Sequence, residues 1–234
     1  MDAKKRKTGL MGGTFNPVHY GHLLIAENAY EQFQLDEVIF LPTGQSPHKD
    51  ARQILGAEER MEMIRLAIAD NPHFSCSDYE IRAEGISYTY LTIQAFYERM
   101  EEGGELFFIM GADSLAYFDA WMRPDEISRM STILAAVRDG LNQKELLPIR
   151  EFLQQKYGTK IGFINTPNFS VSSRMIRQRI SKHQSVRYLV PEVVEQYLKE
   201  HAVYAGQKGI CATESGTVSD LRDAVLSEES GEGK

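Results

Sequence analysis

The chain has 234 residues, 42% of them hydrophobic and 25% charged, with a formal net charge of −7. That supplies one sizeable core, in one domain or in one domain with a small extension. The acidic balance excludes a bulk nucleic-acid binder, which needs a broad basic surface, and leaves room for a local anion site made of a few cations and backbone N–H groups.

In chain order, the basic run Lys4-Lys5-Arg6-Lys7 has no long apolar segment behind it. It reads as a solvated end, not a leader peptide or a nuclear address. Residues 8–11 form a short apolar strand that runs into a glycine-rich turn, Gly12-Gly13-Thr14-Phe15-Asn16-Pro17. Helical spacing follows over 23–33, then a buried strand over 38–41 stopped by Pro42. Residues 43–53 read as a loop, 57–69 as a helix ended by Asn71-Pro72, and 74–77 as a third strand.

Ser87 is expected to cap a helix carrying Leu91, Ile93, Ala95, Phe96 and Met100, ended by Gly103-Gly104. A fourth strand over 106–110 feeds Gly111-Ala112-Asp113, and a fifth covers 133–137. A helix over 146–157, a sixth strand over 161–164, a helix capped by Ser172 or Ser173 and running to about Ile180, and a last helix starting at Pro191 complete the pattern.

Continuous apolar strands alternating with helices predict an α/β fold, a single doubly wound, Rossmann-like parallel sheet covered on both faces. Ligands bind such folds at the carboxyl ends of the strands. Residues 1–205 are taken as the domain. Residues 206–234 are rich in Gly, Ser, Thr and Glu, lack aromatic residues and read as a polar, flexible tail. No apolar run nears the roughly 20 residues that span a bilayer, so no membrane partner is expected. Cys76 and Cys211 are too few for a disulfide framework and are expected to be reduced thiols in a cytoplasmic protein. A homo-oligomer is compatible with the composition, and nothing in the sequence locates an interface.

Two strings carry chemistry. The first runs from Gly12 to His22 and ends His19-Tyr20-Gly21-His22. Paired glycines after a strand let the backbone approach a phosphate, and the next helix offers unpaired N–H groups and a positive dipole end. His19 and His22 are three apart and share one side of a helix start. The Gly-Lys-Ser/Thr ending of a Walker loop is missing, the glycine spacing does not fit a dinucleotide fingerprint, and a zinc site needs more ligands. The second string is Ser170-Val171-Ser172-Ser173-Arg174-Met175-Ile176-Arg177. Alone it is equally an ordinary N-cap with surface arginines. Beside the first string it reads as a second phosphate clamp, in which Arg177 presents a forked guanidinium to the outer phosphates.

Together, His-x-Gly-His near the first strand and Ser-Ser-x-x-Ile-Arg at a late helix resemble the nucleotidyltransferase superfamily. Gly-Gly-Thr-Phe-Asn-Pro-x-His resembles its nicotinate-nucleotide adenylyltransferase branch. So do Pro47-His48-Lys49, Gly85-Ile86-Ser87-Tyr88-Thr89, Gly111-Ala112-Asp113 with Trp121, and Arg187-Tyr188-Leu189-Val190-Pro191. The resemblance covers about residues 8–203. One departure is Arg174, which stands where the family often has Thr.

The resemblance implies adenylyl transfer from ATP to nicotinate mononucleotide, giving nicotinate adenine dinucleotide and pyrophosphate in NAD biosynthesis. The same chemistry on nicotinamide mononucleotide or pantetheine phosphate, or a nucleotide sensor without turnover, are the alternatives. It implies catalytic roles for His19, His22 and Arg177. The ATP site would comprise Gly12, Gly13, Thr14, Phe15, Asn16, Gly111, Asp113, Ser172 and Ser173. The acceptor would be held by His48, Lys49, Thr89 and Trp121, with Arg138 as a further phosphate contact. Asp113 has a second reading, as N-cap of a helix over 115–118, and Trp121, taken without the resemblance, reads as core packing. Mg²⁺ is expected with ATP as co-substrate, and no dedicated protein metal site.

Overall fold

A computed structural model describes residues 5–44, 54–83, 85–137, 143–167 and 169–204. Six parallel strands form one sheet: β1 (Lys7–Gly13), β2 (Glu37–Pro42), β3 (Phe74–Cys76), β4 (Glu105–Gly111), β5 (Thr132–Ala136) and β6 (Ile161–Ile164), in the order β3-β2-β1-β4-β5-β6. The order reverses between β1 and β4. Their carboxyl ends therefore flank a crevice from which the chain departs in opposite directions.

Why the strands read as continuous apolar runs is visible in their alternation. Leu10, Leu106, Phe108, Met110, Ile133 and Ala135 point into one core, and their neighbours Met11, Phe107, Ile109, Leu134 and Ala136 into the other. A period of two with both phases apolar is what a sheet covered on both faces requires. One face is covered by α1 (Tyr20–Phe33), α2 (Ala57–Ile68), α8 (Ser173–Ser181) and α9 (Glu192–Glu200). The other is covered by α4 (Thr89–Tyr97), α5 (Ala112–Ala116), α6 (Pro124–Met130) and α7 (Gln143–Tyr157). The short α3 (Tyr79–Arg82) leads from β3 towards α4.

Every expected strand and long helix is present, with differences that have local causes. Gly12 and Gly13 are not yet turn: they pair in register with Leu41 and Pro42, so β1 carries the glycines up to the crevice inside the sheet. Helix α1 begins at Tyr20, three residues before the apolar spacing starts, because His19 and His22 support its first turn. Helix α4 ends at Tyr97, and residues 98–104 form turns in which Gly103 takes a φ of +83°. The cap of α4 is Tyr88, not Ser87, whose hydroxyl instead donates to the backbone carbonyl of Glu80 at 3.4 Å. Gly111 is the N-cap of α5, and Asp113 lies inside that helix instead of capping it. Helices α3 and α6 were not expected. Both are short, and α6 starts on Pro124 after Arg123 in the left-handed region, which gives no apolar period to read.

Candidate active site

A cleft of about 660 Å³ opens at the β1/β4 crevice. Its floor is Gly12, Gly13 and Thr14 from the end of β1, with Phe108, Met110 and Gly111 from β4. One wall is Thr43, Glu80, Ser87, Tyr88 and Thr89. The other is Ser114, Tyr117, Ala120, Trp121 and Met122. Trp121 is half-buried, set edge-on to Phe108 with ring centroids 6.2 Å apart and tilted on Phe118 at 5.6 Å. It packs against both rings and also lines the cleft.

Beyond Thr14 the chain plunges inward. Phe15 has a φ of 48°, a left-handed conformation uncommon for a bulky residue, and is 1% exposed. Its ring lies between Gly13 and His22. A Cβ on Gly13 would meet the ring at 2.9 Å, and the His22 ring stands edge-on at 4.9 Å. Here a glycine is required by the close approach of an aromatic face to the backbone.

His19 is the N-cap of α1 and is 1% exposed, with His22 at the third helical position. The two rings stack with centroids 3.7 Å apart. The His19 backbone N–H donates to Nδ1 of His22 at 3.3 Å. That acceptor role assigns the proton of neutral His22 to Nε2, which is thereby a donor. Gly21 makes the stack sterically feasible: a Cβ there would sit 3.0 Å from Nδ1 of His19 and 3.5 Å from the carbonyl oxygen of Val171. In the first turn of α1 the Tyr20 N–H donates to the Leu189 carbonyl at 3.1 Å and the His22 N–H to the His19 carbonyl at 2.9 Å, so the helix start offers an anion chiefly its positive dipole end.

The second string meets the first across the fold. Ser172 caps α8, accepting from the Met175 N–H at 3.2 Å. Ser173 Oγ donates to the carbonyl of Pro17 at 2.8 Å, and Arg177 Nη1 donates to the carbonyl of Asn16 at 2.7 Å. Two loops separated by some 160 residues are thus tied at adjacent peptide groups. Arg174, which departs from the family pattern, is exposed. Asp113 is exposed on α5, and the cleft wall there is made by Gly111 and Ser114. His48, Lys49 and Arg138 lie outside the described residues.

Several site-forming residues carried no signal in the sequence. Arg60 on α2 is 2% exposed. Its Nε donates to Leu55 O at 3.0 Å, Nη1 to Thr14 O at 2.8 Å and Nη2 to Thr43 O at 2.8 Å. Burial lowers its pKa, the nearby Tyr204 opposes this, and three carbonyls satisfy the guanidinium. In the cleft wall, Glu80 is 7% exposed and accepts from Thr92 Oγ1 at 2.9 Å. Burial pushes its carboxyl above the ordinary range, partly offset by the Thr92 hydrogen bond. Tyr204, 3% exposed, donates its hydroxyl at 2.5 Å to Oδ1 of Asn16, the already expected site residue, which also accepts there from the Leu55 N–H at 3.2 Å. An arginine in an amphipathic helix, a glutamate beside a turn and a terminal tyrosine look like surface residues until the fold encloses them.

A parallel sheet with a glycine-lined crevice at its switch point and a histidine-bearing helix start facing a serine/arginine clamp defines a nucleotide-binding α/β protein built around phosphate. Residues 10–179 match the cytidylyltransferase-like family. Among curated proteins, the chain is 44% identical over 199 residues to one of Lachnoclostridium phytofermentans named "Probable nicotinate-nucleotide adenylyltransferase", spanning 85% of this chain and 99% of that one. A Clostridium acetobutylicum protein of the same name is 40% identical over the same shares. A solved structure of Plasmodium falciparum nicotinic acid mononucleotide adenylyltransferase complexed with NaAD superposes with a TM-score of 0.70 at 16% identity, covering 85% of this chain and 97% of that one, which shows the shared fold. The chain belongs to the nicotinate-nucleotide adenylyltransferase family, within the cytidylyltransferase-like group.

Two outcomes follow from this geometry. Gly21→Ala favours the helix by about 1 kcal/mol on propensity, yet pushes on the His19 ring. Turnover is expected to fall about tenfold to a hundredfold, the cost of displacing a reacting group by a fraction of an ångström to an ångström, with thermal stability retained. Kinetics and a melt on the same sample check it. For Glu80, a folded-state pKa above the unfolded one means that its favourable contribution is complete below the unfolded value and is lost as pH rises through the folded one. Glu80→Gln cannot ionise. Its stability relative to wild type is therefore expected to improve as pH rises above the ordinary carboxylate range, read from urea midpoints at each pH.

Proposed function

We propose that this chain transfers the adenylyl group of ATP to nicotinate mononucleotide, and that residues 1–205 carry the whole reaction. The observation that carries the reading is a loop that lines the cleft with Gly13 and Thr14, opposite Thr89 and Trp121, and runs on through Asn16, held by Arg177, to the stacked His19/His22 helix start. The bacterial relatives that bear the adenylyltransferase name match over 99% of their own length, so the whole of such a protein is represented here.

In the proposed reaction, a 5′-phosphate oxygen of the mononucleotide attacks the α-phosphorus of ATP in line. The bond from that phosphorus to the α,β-bridging oxygen breaks, and pyrophosphate leaves with the electron pair. The nucleophile is already an anion near neutral pH, so no general base is needed, and rate comes from positioning and from stabilising charge. His22 donates from Nε2 to the reacting phosphoryl group, and His19 holds His22 by stacking and by its backbone N–H. The glycine strand end lets the phosphates approach the backbone, and the positive dipole end of α1 faces them. Ser172, Ser173 and Arg177 take the outer phosphates, with Gly111 and Asp113 beside the adenosine. Thr89 and Trp121 receive the pyridine ring and its carboxylate, with His48, Lys49 and Arg138 for the acceptor phosphate.

The co-substrate is ATP carrying Mg²⁺. Phosphate oxygens and water would supply most of the ligands to that ion. No helix among the described residues is long and apolar enough to cross a membrane. We place the protein in the cytoplasm, where its substrates are.

Mg²⁺-dependent pyrophosphate release is measured with nicotinate mononucleotide, nicotinamide mononucleotide and pantetheine phosphate in parallel. Strong preference for the first is expected. Preference for another acceptor overturns the substrate but keeps the chemistry, and ATP binding without release from any of them makes the protein a sensor. His22→Ala is expected to lower kcat by about a hundredfold to a thousandfold with little change in ATP binding. A kcat within threefold of wild type, on the order of experimental scatter for an inert position, removes His22 from the mechanism. Deleting residues 206–234 is expected to leave kcat and KM unchanged, and loss of activity in a folded, truncated chain refutes the assignment of catalysis to residues 1–205.

A further inference from the structure

After α9 the chain turns back on itself. Ala202 and Tyr204 both lie in the left-handed region, at φ 47° and 62°. The Ala202 N–H donates to Lys199 O at 3.2 Å and the Val203 N–H to Leu198 O at 3.0 Å, which closes the helix end. This reversal drives Val203 and Tyr204 into the core, where they are 5% and 3% exposed.

Packing alone would explain a buried aromatic ring here, and a phenylalanine would serve it as well. The hydroxyl is what requires a different account. A phenol taken out of water must find a partner, and this one ends on a single atom, Oδ1 of Asn16, at 2.5 Å. Asn16 is no ordinary partner. The same Oδ1 accepts the N–H of Leu55, and its backbone carbonyl accepts Nη1 of Arg177 at 2.7 Å. It sits one residue after the inward-turned Phe15 and three before His19. Arg60, bonded to Thr14 O and Thr43 O, borders the same cluster and acts electrostatically on the phenol.

We propose that Tyr204 is a positioning residue for catalysis: its hydroxyl fixes Asn16, and through Asn16 the loop that aims His19, His22 and Arg177 at the nucleotide's phosphates. The proposal rests on the phosphate-site reading given above. It makes the completed C-terminal turn of the domain a condition for assembling a site whose histidines lie near the start of the chain. Burial holds the phenol well above its ordinary pKa, so it remains a donor throughout the working range, with Arg177 and Arg60 opposing the shift.

The test is Tyr204→Phe in the full chain, which keeps the ring and deletes one oxygen. Calorimetry measures binding of MgATP and, separately, of adenosine, which lacks phosphates. MgATP affinity is expected to fall about tenfold, with adenosine affinity unchanged, because a misplaced clamp is felt only by the groups it clamps. In an Asn16→Ala background the same substitution is expected to cost nothing further, since the two residues act as one unit. In turnover, kcat falls while KM for the acceptor holds.

MgATP affinity within twofold of wild type, an equal loss for MgATP and adenosine, or an undiminished loss in the Asn16→Ala background each overturn the proposal. If Tyr204→Phe does not fold, Asn16→Ala in the native background takes its place with the same contrast between the two ligands. The binding contrast is decided whether or not any acceptor releases pyrophosphate. Absence of release from wild type would refute the reaction assigned to the cleft and leave the role of Tyr204 to be judged on ATP alone.

Discussion

The site depends on one buried guanidinium. Arg60 reaches from α2 and bonds three carbonyls, of Thr14, Thr43 and Leu55, which belong to three separate stretches of chain. Each of these carbonyls lies where backbone leaves regular structure, so sheet pairing cannot satisfy it. A buried carbonyl left without a donor costs on the order of 1–3 kcal/mol, and a guanidinium, with five N–H groups in a rigid fork, is the side chain that can serve three at once. The cost of burying the charge is offset by those dipoles, and the loops after β1 and β2 are held in fixed relation to each other.

On that frame the phosphate loop is stabilised from both sides. Outward, the left-handed Phe15 fills the space against Gly13 and presents an edge to His22. Inward, Asn16 gathers the Leu55 N–H, the Tyr204 hydroxyl and the Arg177 guanidinium, and Ser173 holds Pro17. The stacked histidines then begin α1 in one geometry, because Gly21 leaves no side chain to disturb them. Preorganised donors of this kind need not reorganise as charge develops on a phosphoryl group, which is the physical basis for catalysis without a carboxylate pair.

The cleft combines two environments. Its floor joins the glycine end of β1 to Phe108 and Met110 of β4, one wall carries hydroxyls and Glu80, and the other is largely aromatic and apolar. Glu80 lies at the junction, a carboxyl held among apolar surroundings by one neutral hydroxyl. Its ionisation therefore works against the packing of the wall that carries Tyr88 and Thr89.

Local patterns in the sequence were enough for the six strands and the long helices, and for picking out the two strings that the fold brings together. An apolar run of four or five residues, a glycine pair and a histidine three positions from another are properties of adjacent residues, governed by backbone sterics and helix geometry. The same local reading misplaced the caps at Ser87 and Asp113 and passed over α3 and α6, because a one- or two-turn helix has no period to detect and its cap is chosen by what the neighbouring wall leaves unsatisfied. The roles of Arg60, Glu80 and Tyr204 were decided only by tertiary structure. Each is an ordinary polar residue in sequence, and its setting comes from burial and from partners as far as 188 positions away, which only the assembled fold brings together. The sequence by itself determined the chemistry available at the crevice. The packing of α2, α9 and the terminal turn against the phosphate loop determined its geometry, since a hydrogen bond has a direction and a length that composition cannot specify.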